Sequence, residues 1–207
     1  MMDWKTLVQR YRLREKVTGV LHCGAHLAEE AMDYDWAFGR FVPIWWVEAN
    51  QAVFRVIVEN LKRYPKQYLV SALLAEIDGA ERDFHITNYD GMSSSLLEFG
   101  THPQFSPDTV FVRHERIVTA TIDRVAEAYK ITANMLVMDL QGAEGMALAG
   151  AKQFLEGVEF VMSEVNRAEV YKGCAKVHEL DEVLGDFDRV ETLWTPFDWG
   201  DALWVRR

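Results

Sequence analysis

The stretch Gly19-Val20-Leu21-His22-Cys23-Gly24, continued by Ala25-His26-Leu27-Ala28-Glu29-Glu30, constrains the fold of this chain more than any other. A short apolar run meets a glycine and a helix-forming segment follows at once, the pattern of a parallel strand feeding a tight turn and then a helix. Gly24 has no Cβ, so the backbone there can approach a ligand closely. A helix opening at this turn offers unpaired N–H groups and a positive dipole end, which suit a carboxylate or phosphate. A plain strand–helix connection in any α/β protein has the same features. The dinucleotide fingerprint G-x-G-x-x-G is absent, because His26 stands two residues after Gly24. That disfavours a nicotinamide or flavin oxidoreductase.

The rest of the chain supplies the doubly wound sheet such a turn requires. Residues 3–16 read as a helix with Trp4, Leu7, Val8 and Tyr11 on one face. Strand one covers 18–23 and a helix 25–39. Strand two is 44–47, ending at Glu48. A helix over 51–64 follows, with Asn50 as N-cap and Pro65 as stop. Strand three is 68–74, and its near-continuous apolar run suits a strand buried on both faces. The alternation then breaks: a turn at Asp78-Gly79, an exposed strand over 82–87, and a long loop over 88–107 rich in Gly, Ser and Pro. A loop of that length in a compact domain is usually functional, so 88–107 is expected to act as a lid on the ligand cleft. Extended structure returns at 110–118, with a short helix at 122–129. Strand four is 135–138, ending at Asp139. A helix at 144–155, strand five at 158–162, a loop at 164–173 and a helix at 177–184 follow. Strands at 189–194 and 202–205 close the chain as an antiparallel pair. The expected architecture is one α/β domain over 1–207, with a mixed sheet and helices on both faces.

The 207 residues suffice for one sizeable core, and 49% are hydrophobic, ordinary for a packed protein. No apolar run approaches the roughly 20 residues of a membrane helix, so no membrane partner is expected. Two cysteines, Cys23 and Cys174, make no disulfide framework, and a cytoplasmic location is the default. A net charge of −10 argues against a nucleic acid partner.

Three acids fall at expected strand ends: Glu48, Asp139 and Glu164. Ligands of open α/β sheets bind at that edge, and Glu48 follows Gly24 at close to the ~20-residue spacing at which an acid bonds a ribose diol. Each acid has an ordinary alternative as a helix cap or ion-pair partner. His22 and His26 straddle a strand–turn and have no metal-ligand partners nearby, so no metal is expected. Ser93-Ser94-Ser95 sit in the long loop without a nucleophile elbow and read as loop-ordering or substrate-facing donors. The tryptophans Trp45, Trp46, Trp194, Trp199 and Trp204 read as strand residues packing the core.

Five motifs occur in order: Gly24-Ala25-His26, Val47-Glu48-Ala49-Asn50, Ser93-Ser94-Ser95-Leu96, Thr121-Ile122-Asp123 and Asp139-Leu140-Gln141-Gly142-Ala143-Glu144. In these the chain resembles the FkbM family of S-adenosylmethionine-dependent methyltransferases, over roughly residues 19–205. The last motif and the triple serine are the most specific. The resemblance implies a class I methyltransferase (Rossmann-like) seven-stranded sheet of order 3-2-1-4-5-7-6 with its last strand antiparallel. It also implies S-adenosyl-L-methionine as cofactor and O-methylation of a hydroxyl on a small molecule or glycan. It places His22, Gly24, Ala25, His26, Glu48, Ala49, Leu73, Asp139 and Gln141 around the cofactor. Asp139 then positions cofactor and acceptor and Glu164 is the base candidate, with His102 and His114 in reserve. The chain departs from the family at His22, where an aspartate is usual, and at Ala28, where a second glycine is common. The unusual His22 keeps open a non-catalytic, methyltransferase-like ligand-binding or interaction protein.

Overall fold

The computed structural model describes residues 4–207. In chain order the strands are β1 (Val20–Cys23), β2 (Ile44–Glu48), β3 (Gln67–Ser71), β4 (Leu73–Leu74), β5 (Glu81–Thr87), β6 (Phe111–Ala120), β7 (Met135–Met138), β8 (Phe160–Asn166), β9 (Phe187–Trp194) and β10 (Trp199–Arg206). The α-helices are α1 (Trp4–Tyr11), α2 (Leu13–Lys16), α3 (Ala31–Phe38), α4 (Phe54–Leu61), α5 (Ile122–Tyr129), α6 (Glu144–Ala149), α7 (Lys152–Leu155) and α8 (Val177–Val183).

Seven strands form one sheet in the order β3-β2-β1-β7-β8-β10-β9. The five strands from β3 to β8 are parallel, and β10 runs antiparallel to both β8 and β9. With the two strands of the insertion and the short β4 set aside, this is the expected order 3-2-1-4-5-7-6. Alternate residues of each strand enter opposite cores. Val20, Ile44, Trp46, Met135, Val137 and Leu203 pack one face with α1 and α3. Leu21, Val47, Leu136, Val161 and Trp204 pack the other with α5, α6 and α8. The expected strand over 68–74 divides at Ala72: β3 stays in the main sheet, while β4 pairs with β6 in a second sheet of order β4-β6-β5.

Further expected elements are corrected. The helix over 25–39 begins only at Ala31, because His26 and Ala28 take left-handed φ values of 43° and 56°. The Gly24 turn therefore does not present a helix N-terminus. The helix over 144–155 breaks at Gly150, where a Cβ would lie 2.6 Å from the carbonyl oxygen of Ala75. Strand five does not stop at Met162. The eight-residue β10 offers backbone partners as far as Asn166, so Glu164 sits inside β8 opposite Asp201 and not at a strand end. The N-terminal helix divides at Arg12 (φ 55°), and its expected first residue, Asp3, lies outside the described residues. By contrast α5 spans Ile122–Tyr129 as expected, with Thr121 Oγ1 accepting from Arg124 N at its start.

Candidate active site

Gly24, at φ 92°, ends β1 where the chain passes the end of β7. A Cβ on it would sit 1.8 Å from the carbonyl oxygen of Asp139. The close approach of a neighbouring strand end thus requires glycine here. Beyond it, Glu48 at the end of β2 turns its buried carboxylate back to the turn. Oε2 accepts from His26 N (2.9 Å) and Oε1 from Asn50 N (2.7 Å). Burial raises the Glu48 pKa against the pull of these bonds. Asn50 caps the next helical turn by accepting from Ala52 N.

A cleft of about 650 Å³ opens over these strand ends. Gly24, His26, Glu48 and Ala49 line it, with Leu73 and Phe84 as an apolar wall. Leu73 and Phe84 belong to a small cluster with Ile86, against which Ala49 and Leu96 pack. A second cleft of about 1350 Å³ adjoins it, bounded by Ala25, Glu164, Tyr171 and the aromatic rings of Phe105 and Trp199. Asp139, Gln141, Gly24, His26 and Met92 line both. The segment 88–107 borders both clefts, through Asp90, Met92 and Leu96 on one side and His102 and Phe105 on the other. It is tied down by Ser95 Oγ donating to Gln141 O (2.7 Å) and by Gly100 N donating to Val170 O (2.9 Å).

Where the clefts meet, carboxylates and one amide form a connected group. Gln141 Nε2 donates to Asp139 Oδ1 at 2.5 Å and to Glu164 Oε2 at 3.3 Å, while Tyr171 OH donates to Gln141 Oε1 at 2.5 Å. Burial, and then the nearby Asp139, Glu144 and Asp201, hold Glu164 well above the usual carboxylate range. Burial raises Asp139 too. Glu144 is buried beneath the loop, accepts from Leu140 N (2.7 Å) and Gly142 N (3.2 Å), and is pushed up to about 7 by burial. It clamps the backbone that presents Gln141, itself at φ 54°.

Of the other expected site residues, His22 lines neither cleft. Its ring stacks on Trp46 (4.6 Å between centroids), Nδ1 lies 2.8 Å from Tyr34 OH, and burial lowers its pKa to about 4. His26 faces the clefts. Its Nδ1 pairs with Glu29 (2.6 Å), which raises its pKa, and its buried Nε2 has no partner. His114 stands on β6 paired with His85 (2.7 Å), away from both clefts. Tyr171 and the clamping role of Glu144 were not read from the sequence. Tyr171 lies in a polar run with no periodicity, and its only mark was being an aromatic ring there.

The fold and the cleft over the carboxyl ends of its parallel strands define a class I methyltransferase fold. The Methyltransferase FkbM domain profile matches residues 22–191. The chain belongs to the FkbM methyltransferase family. It is similar to the 2-O-methyltransferase NoeI of Sinorhizobium fredii, at 25% identity over 64% of this chain and 57% of that protein. It therefore spans less than two thirds of that relative's length. Among solved structures, it superimposes on a methyltransferase FkbM from Methylobacillus flagellatus KT with a TM-score of 0.59, at 16% identity over 91% of this chain and 43% of that one. It also superimposes on magnesium protoporphyrin IX methyltransferase from Synechocystis PCC 6803, with a TM-score of 0.53 and 11% identity over 99% and 78% of the two chains. Identities this low show the fold alone. Among the described residues no helix is long and apolar enough to cross a membrane.

Proposed function

We propose that this chain is an S-adenosylmethionine-dependent O-methyltransferase acting on a hydroxyl of a small molecule or glycan. The observation that carries this reading is the meeting of two clefts at Asp139 and Gln141, so that a cofactor in one and an acceptor in the other would share those residues. The first cleft fits the cofactor's chemistry. The Glu48 carboxylate accepts from His26 N and Asn50 N, and its remaining acceptor capacity suits a ribose hydroxyl. Leu73, Ala49 and Phe84 offer apolar surface to an adenine. The unpartnered Nε2 of His26 calls for a polar ligand atom.

When bound, the cofactor would supply an electrophilic methyl group. The protein's part is to orient the acceptor, exclude water and take up a proton. Holding acceptor oxygen and methyl in line at about 3 Å accounts for much of the acceleration such sites give. Asp139 would contact both ligands. Glu164 would accept the hydroxyl proton, for which it must be ionised. In the free protein its burial among acids opposes that, whereas a cation beside it favours the charged form. Phe105, Trp199 and the segment 88–107 would close the larger cleft against water.

Thermal unfolding with S-adenosylhomocysteine or NAD, followed by transfer of labelled methyl groups to candidate acceptors, tests this reading. A higher Tm with S-adenosylhomocysteine alone, and label on an acceptor oxygen, are expected. Stabilisation by NAD alone would contradict it.

A further inference from the structure

We infer that Tyr171 is a positioning residue for this centre: its hydroxyl fixes which end of the Gln141 amide faces Asp139 and Glu164. The inference rests on the proposed use of those two carboxylates. An amide has two ends of the same shape and opposite hydrogen-bonding character, and its surroundings decide which way it points. Here Tyr171 OH lies 2.5 Å from Gln141 Oε1, leaving the NH₂ end to donate to Asp139 (2.5 Å) and Glu164 (3.3 Å). The phenolic proton is donated to Gln141. The result is a directed chain from the Tyr171 hydroxyl through Gln141 to two acids.

The packing leaves this chain little freedom. Gly142, at φ 94°, lies under the tyrosine, and a Cβ on it would come within 2.7 Å of Tyr171 Cβ. Ser95 holds the Gln141 carbonyl (2.7 Å), and Val170, the residue before Tyr171, accepts from Gly100 and His102. Segment 88–107 therefore grips both ends of the relay. Without the hydroxyl, Gln141 Oε1 loses its donor and the amide can turn. Asp139 and Glu164 then lose their common donor and face each other as like charges. His22 and Glu30 also act on Asp139, Glu144 acts on Glu164, and Asp201 acts on both, all unchanged by the substitution.

The test is Tyr171→Phe, which keeps the ring, in wild-type and Gln141→Ala backgrounds. Carbon-13 NMR of labelled Asp and Glu carboxyls in the ligand-free protein reads the titrations of residues 139 and 164, and calorimetry reads S-adenosylhomocysteine affinity across pH. Tyr171→Phe is expected to move those titrations to higher pH and to weaken binding about two- to tenfold, the scale of one hydrogen bond. In the Gln141→Ala background it should do neither. Wild-type titrations in Tyr171→Phe, or an equal shift without Gln141, would overturn the inference. A wild type that ignores S-adenosylhomocysteine refutes the cofactor reading instead, while the carboxyl titrations still decide the role of Tyr171.

Discussion

Glu48→Gln keeps the size of the side chain and removes one acceptor. In the wild type both carboxylate oxygens accept backbone N–H groups, from His26 at 2.9 Å and Asn50 at 2.7 Å. A glutamine can satisfy only one of them and points its NH₂ at the other, placing donor against donor. Hydrogen bonds to charged groups contribute about 1.5–3 kcal/mol. Relief of the desolvation that raises the Glu48 pKa works in the opposite direction. The loss of stability is therefore at most about 3 kcal/mol, or a Tm lower by up to about 12 °C for a chain of this size. The sequence alone suggests almost no change in folding, since it does not reveal that both oxygens are engaged by the turn. The larger effect is on binding. If the remaining acceptor positions hold the ribose, loss of a charge-assisted bond weakens S-adenosylhomocysteine about ten- to a hundredfold. Calorimetric titration of the two proteins, with circular dichroism to establish that both are folded, measures this. Equal affinities would make Glu48 a structural acid and refute the placement of the cofactor.

Gly24→Ala adds a Cβ 1.8 Å from Asp139 O at a φ of 92°, and strain plus overpacking should destabilise the protein by about 2–6 kcal/mol in urea unfolding; a variant of wild-type stability would contradict the described turn. Glu144 has its pKa raised from 4.5 to about 7, so the folded state holds its proton more tightly and this contribution to stability is lost as pH rises between those values. Glu144→Gln can keep both backbone bonds through Oε1, so it should match the wild type below pH 4.5 and exceed it by up to about 3 kcal/mol above pH 7; a pH-independent difference would count against a buried, neutralised acid. Hydrogen exchange over 88–107 should slow when S-adenosylhomocysteine is added, most of all near Asp90 to Leu96, which line the smaller cleft; unchanged exchange would count against a lid.

The parallel strands were legible because their residues enter apolar cores on both faces, which writes a short unbroken apolar run into the sequence. The closing antiparallel pair was legible from the turn residues between its strands. What local pattern could not show was backbone conformation imposed from elsewhere. His26 and Ala28 are ordinary helix residues by composition, yet both adopt left-handed φ, so the helix starts six residues later than the apolar pattern suggests. Ala28, where the resemblance implies a glycine, is one of these left-handed positions, a conformation in which glycine carries no Cβ penalty. The reach of β8 to Asn166 depends on β10, some thirty residues on in the chain, and no local signal marks it. In the candidate site the acids stood out as acids. Their connection through Gln141 and Tyr171 is a tertiary fact, and so is the turn of His22 away from the clefts into the aromatic stack with Trp46 and Tyr34.

The most direct test is a crystal structure of the chain with S-adenosylhomocysteine. The ligand is expected in the smaller cleft, with ribose hydroxyls on the Glu48 carboxylate, adenine against Leu73 and Phe84, and the sulfur directed toward Asp139 and the larger cleft. Density for the ligand elsewhere on the molecule, or a cleft that stays empty at saturating ligand, would contradict the assignment of this site.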